Sequence, residues 1–188
     1  LCDFARQPAV EAFAEITAFL RANRFELVLL DLQNETTLEH TVTAFEDSGL
    51  SRYAHVQIPG EPWPTLREMI RANQRVVIFS GREDDAPAWY HATRDFVYGT
   101  HWHYEAPEDL DCALDSSPIP HGLLEVTHVL TNPVADPDNA EAINHNPFLR
   151  DRMDRCITEW GRLPSMISVD FYSIGDVLEV ARELNTAP

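Results

Sequence analysis

An α/β fold organised on a parallel sheet or barrel is predicted by two observations. Helical and strand-like segments alternate along the whole chain, with no repeat and no low-complexity linker. The best-defined strand, "RVVIFS", is apolar on both faces, which a parallel strand covered by helices tolerates and an open antiparallel strand usually does not. At 188 residues, 44% of them hydrophobic, the chain is long enough to bury a core, and one domain is the default expectation.

The elements follow in order. In "PAVEAFAEITAFLRANR", Val10, Phe13, Ile16, Phe19 and Leu20 form one helical stripe ending near Asn23. "ELVLLDLQ" reads as a short buried strand. Leu38, Val42 and Phe45 mark a second helix closed by Gly49. "YAHVQI" is expected to be a short strand. Pro62 and Pro64 then fix the backbone around Trp63, and Thr65 with Glu68 three residues later forms a capping box for a third helix. After "RVVIFS", residues 81–122 are rich in aromatics, His and Asp. A stretch of that length carries function or small elements of its own. "LLEVTHVL" reads as a strand, and a helical region runs from Asp138 to Gly161 with a break around Pro147. "SMISVDFY" is the last strand and "GDVLEVARELN" the last helix.

Charge narrows the function classes. With 14 basic against 31 acidic side chains, a net charge of -17 and no lysine, the chain is a poor match for nucleic acid. No apolar run reaches the roughly 18 residues of a membrane span, so no transmembrane segment is expected. Three cysteines, none in a CxxC or metal-ligand spacing, leave two readings open: a Cys112–Cys156 pair, or three buried thiols.

Polar residues in strands point to a site. Asp31 and Gln33 share one face of their strand, and Ser168, Asp170 and Tyr172 share one face of theirs. Both groups lie near strand C-termini, where α/β folds gather binding and catalytic groups. Gln33, Asn34 and Asp170 are therefore candidates, the alternative being helix capping or hydrogen bonding inside the core. For His128 in "VTHVL" parity does not decide the direction of the side chain, and a satisfied core histidine is the other reading. Arg82 follows a strand end, where a guanidinium would hold phosphate or pair with the acidic loop behind it. His91, His101 and His103 suggest metal, or simply one face of an exposed strand. Trp89, Tyr90, Trp102 and Tyr104 read as a sugar- or lipid-facing rim, or as loop core. No P-loop, GxGxxG, HExxH or nucleophile elbow is present.

The succession "FEDSGL", "PWPTLREMI", "RVVIFS", "WYH", "NAEAIN", "RC", "LPSMISVDFY", "GDV" and "LN" resembles the phosphatidylinositol-specific phospholipase C-like phosphodiesterases, in their bacterial and fungal X-domain-like branch. The likeness runs from the first helix to Asn185. It implies a distorted TIM-type (β/α) barrel that cleaves phosphodiesters by acid-base chemistry, often in secreted proteins. Members usually carry catalytic histidines on the first and third strands, and Leu1 and Cys2 look like residues just after the second of these. Residues 1–188 are thus expected to be the C-terminal portion of a single barrel domain, a partial TIM-type barrel lacking its N-terminal strands. The chain alone is expected to be inactive, in a secreted or extracytoplasmic protein whose signal region is not in this chain.

The resemblance also assigns residues. Asp170 matches the acidic position of the "VDFY" strand and His128 a histidine of the next-to-last strand, making these the expected catalytic pair. Their places at or just beyond strand ends make Gln33, Asn34, Arg82 and Tyr172 the expected substrate-binding residues, and by the resemblance Cys112 and Cys156 match a structural disulfide. Gln33 and Asn34 stand where members carry acidic groups, so a divalent cation such as calcium is disfavoured and no cofactor is expected. The expected partner is a phosphodiester or phosphoinositide-like molecule or lipid head group. The alternative is a non-catalytic barrel acting as a binding module. A metallohydrolase of the glycerophosphodiester type would need acidic ligands that this segment lacks.

Overall fold

The computed structural model describes residues 7–33, 36–81, 86–132 and 134–186. Four residues singled out above, Leu1, Cys2, Asn34 and Arg82, lie outside the described residues. The chain divides into two compact units, Leu1–Phe96 and Val97–Pro188, each with its own three-stranded parallel sheet. Among the described residues the strands do not close into a barrel.

In the first unit, α1 (Ala9–Ala22) precedes β1 (Val28–Leu32), α2 (Leu38–Asp47), α3 (Leu66–Ala72), β2 (Val76–Ser80) and β3 (Tyr90–Ala92). Thr65 and Glu68 form the expected capping box at the start of α3. The sheet order is β1-β2-β3, with Val28 opposite Val76 and Ile78 opposite Tyr90. Residues of one parity, Val28, Leu30, Leu32, Val76, Ile78 and Tyr90, pack with Phe13, Leu20 and Phe45 from α1 and α2. The buried Arg75 guanidinium donates to the carbonyls of Leu20, Asn23 and Glu26, closing the C-terminal end of α1. "YAHVQI" does not form the expected strand. Only Ala54 bridges to Val76, and further on the Gln57 amide donates to the His91 ring, diverting a backbone donor from a ladder.

In the second unit, β4 (Val97–Gly99) and β5 (Leu123–His128) are followed by α4 (Pro137–Ile143), α5 (Phe148–Trp160), β6 (Met166–Val169) and α6 (Val177–Thr186). Pro147 separates α4 from α5, as its missing amide dictates, and Gly161 ends α5 in the left-handed conformation. The order is β4-β5-β6. Val126, Ile167 and Val169 pack against Leu149 and Met153 of α5 and Val180 and Leu184 of α6. Both β3 and β4 fall inside the stretch 81–122, which therefore carries small elements of its own.

Candidate functional site

Strand alternation sorts the second unit's sheet into two unlike faces. Along β5, Leu124, Val126 and His128 are buried, whereas Leu123, Glu125 and Thr127 remain partly open. The register places Thr127 beside Ser168 on the open face and His128 beside Val169 on the helix-packed face. The Ser168 hydroxyl hydrogen-bonds the Glu125 carboxylate on that open face. Asp170 follows Ser168 in the alternation and stands one residue past β6, at the C-terminal end of the sheet. Its carboxyl is half-buried, and burial pushes its pKa above the usual carboxylate range.

One residue holds the Asp170 loop. Asn144, just after α4 and 1% exposed, donates through Nδ2 to the carbonyls of Asp170 (2.9 Å) and Ile174 (3.3 Å). Its own carbonyl accepts from the Asp176 amide at 2.9 Å. That approach is close because Gly175, at φ 86°, has no Cβ: one placed there would lie 2.3 Å from the Asn144 oxygen. The Asp176 carboxylate in turn accepts from the Asn146 amide at 2.8 Å and lies 3.6 Å from His145 Nδ1.

His128 serves a different network. Its Nε2 donates to the Ile143 carbonyl at 3.0 Å, which leaves Nδ1 as an acceptor from Arg152 Nη1 at 3.0 Å. Burial, joined by the nearby guanidinium, pushes its pKa down to about 4 and keeps the ring neutral. Arg152, 2% exposed, also donates to the carbonyls of Thr127 (2.7 Å) and Asp111 (2.8 Å) and lies over the Tyr104 ring. Burial lowers its pKa to about 10. Along α5, Arg155 donates to the Leu110 carbonyl and Trp160 to that of Cys112, so α5 engages three consecutive carbonyls of one segment. The Cys112–Cys156 disulfide fastens the same segment, with Cα atoms 5.2 Å apart.

The remaining candidates are spread out. Tyr172 is 72% exposed in the Asp170 loop. Gln33 is exposed just past β1 in the first unit, where Thr93 donates to the Asp31 carboxylate at 3.3 Å. His91 is buried, accepting from the Gln57 amide and donating to the Ile78 carbonyl. His101 and His103 lie beside different carboxylates, Asp115 and Glu105. Among the described residues no group of three or more His, Cys, Asp or Glu is placed to hold a metal ion, and no helix is long and apolar enough to cross a membrane.

Sequence reasoning did not single out Glu125, Asn144 or Arg152. A signal for Arg152 was present, since it falls on the stripe Leu149, Met153 and Cys156 that faces the core.

Comparison with known proteins agrees on one family. The family model described as PI-PLC X matches residues 2–185. A PI-PLC X domain-containing protein of Arabidopsis thaliana is 25% identical over 206 residues, covering 96% of this chain and 45% of its own. PI-PLC X domain-containing protein 1 of Arthroderma benhamiae is 28% identical over 140 residues, covering 65% of this chain and 45% of its own. The chain thus spans less than half the length of these curated relatives. No solved structure matches.

Proposed function

Since the chain belongs to the PI-PLC X domain family, we propose that it is part of a phosphodiesterase acting on a phosphoinositide-like lipid head group, with Asp170 as its main contribution to catalysis. The observation carrying this reading is a half-buried carboxylate of raised pKa at the C-terminal end of a parallel sheet whose open face carries Glu125, Thr127 and Ser168. In this reading the chain is a portion of a TIM-type barrel, and the principal acid and base are histidines outside the 188 residues. Asp170 orients and charge-stabilises one of them, as a carboxylate does for an imidazole that must accept a proton.

His128, with both ring nitrogens engaged away from the open face, supports the loops around the site rather than transferring protons itself. Tyr172, exposed in the Asp170 loop, lines the approach of the head group. The chemistry is metal-independent, because amide side chains replace the acidic positions that would hold a divalent cation. The test is release of water-soluble inositol phosphate from phosphatidylinositol by the complete protein, with and without chelator. Chelator-insensitive turnover is expected. Turnover abolished by chelator and restored by calcium would refute the metal-free mechanism, and no release from inositol or glycerol phospholipids would refute the activity.

A further inference from the structure

The geometry points to Asn144 as a positioning residue for Asp170, an inference that rests on the reading of Asp170 as the functional carboxylate. Asn144 makes three hydrogen bonds to one loop: its side chain to the carbonyls of Asp170 and Ile174, and its own carbonyl from the Asp176 amide. The two ends of the segment 170–176 therefore hang from a single buried side chain and its backbone. A packing role would be served by an apolar residue of similar volume. Asn144 instead keeps Oδ1 buried with no hydrogen-bond partner among the described residues.

That unpaired acceptor follows from the geometry. Two carbonyls require both hydrogens of Nδ2, which fixes the amide's orientation and leaves its oxygen turned away from any donor. Burying a polar atom unpaired is destabilising, and such defects are kept where the geometry they enforce is needed. Here the enforced geometry is the place of the Asp170 backbone, and with it the partial burial that raises the pKa of the carboxyl. Gly175 completes the device, since only a residue without Cβ admits the Asn144 carbonyl to the Asp176 amide.

Three variants test this in the complete protein: Asn144→Ala, Asn144→Asp and Asp170→Asn. Hydrolysis of phosphatidylinositol is measured across pH, and the Asp170 carboxyl is titrated by carbon-13 NMR. Asn144→Ala is expected to lower kcat by about 100-fold with KM within about threefold, because misplacing a catalytic group without touching substrate affects the transition state alone. In the same variant the Asp170 pKa falls back toward the ordinary carboxylate range, shifting the pH profile with it. Asn144→Asp recovers activity as pH is lowered, because a neutral carboxyl donates one hydrogen bond whereas a carboxylate faces two carbonyls with none.

An Asp170→Asn enzyme as fast as wild type would overturn the functional reading. With Asp170→Asn slow, an Asn144→Ala enzyme of unchanged kcat and unchanged Asp170 titration would overturn the positioning role alone. If wild type shows no turnover, the activity reading fails and the NMR titration still decides the inference: an Asp170 pKa indifferent to Asn144 sinks it. Should Asn144→Ala fail to fold, Asn144→Asp supplies the same comparison, and an Asn144→Asp enzyme whose loss of activity does not vary with pH contradicts the hydrogen-bond role.

Discussion

Replacing both Cys112 and Cys156 by alanine should destabilise the second unit by about 4 kcal/mol. The bond joins residues 44 positions apart, and closing a loop of that size removes about 13 cal/mol/K from the unfolded ensemble, or about 4 kcal/mol at room temperature. The folded state should change little. Arg152, Arg155 and Trp160 hold the carbonyls of Asp111, Leu110 and Cys112 without help from the disulfide. The effect therefore falls on the denatured chain. Urea unfolding followed by circular dichroism, comparing the double variant with wild type under non-reducing conditions, reads it directly. A loss below about 1 kcal/mol would refute the chain-entropy argument. A variant whose folded-state NMR spectrum changes throughout residues 104–115 would show that the native segment depends on the bond after all.

Stability should also fall on acidification. His128 has a folded pKa of about 4 against an ordinary 6.5, so its contribution is fully present above pH 6.5 and is lost as pH drops toward 4, by about 3 kcal/mol in all. Urea midpoints at pH 7, 6 and 5 check this; His91, also lowered by burial, acts in the same direction, and a flat profile would contradict it. Arg152→Met should remove about 3 kcal/mol, as it strands carbonyls of Asp111 and Thr127 and the His128 acceptor. Proton-carbon NMR should show the His128 pKa rising in that variant, since a nearby positive charge is gone. Gly175→Ala should cost about 2 kcal/mol or more, from backbone strain at φ 86° and collision with the Asn144 oxygen, read as a lowered melting temperature.

Much of the helical framework was legible because its signals are local. The capping box at Thr65 and Glu68, the break at Pro147 and the stop at Gly161 depend on a few neighbouring residues. The strands β3 and β4 were not, because three residues each are too few for a period to show. The site was half legible. Asp170 announced itself as a charge in an apolar strand. His128 did not reveal its direction, since Thr127 and His128 are both polar and alternation then carries no contrast; only the register with β6 and the partners Ile143 and Arg152 decide it. Asn144 was hidden for another reason. Its partners Asp170, Ile174 and Asp176 lie about thirty positions downstream, and an asparagine at a helix end looks like an ordinary stop signal.

The decisive experiment compares wild type with Asp170→Asn in the complete protein, following inositol phosphate released from phosphatidylinositol in the presence of chelator. Wild type should turn over, and Asp170→Asn should be slower by about 100-fold or more while remaining folded, because an amide can hold an imidazole but cannot stabilise its charge. An Asp170→Asn enzyme with wild-type kcat and KM would contradict the assignment of catalysis to this carboxylate.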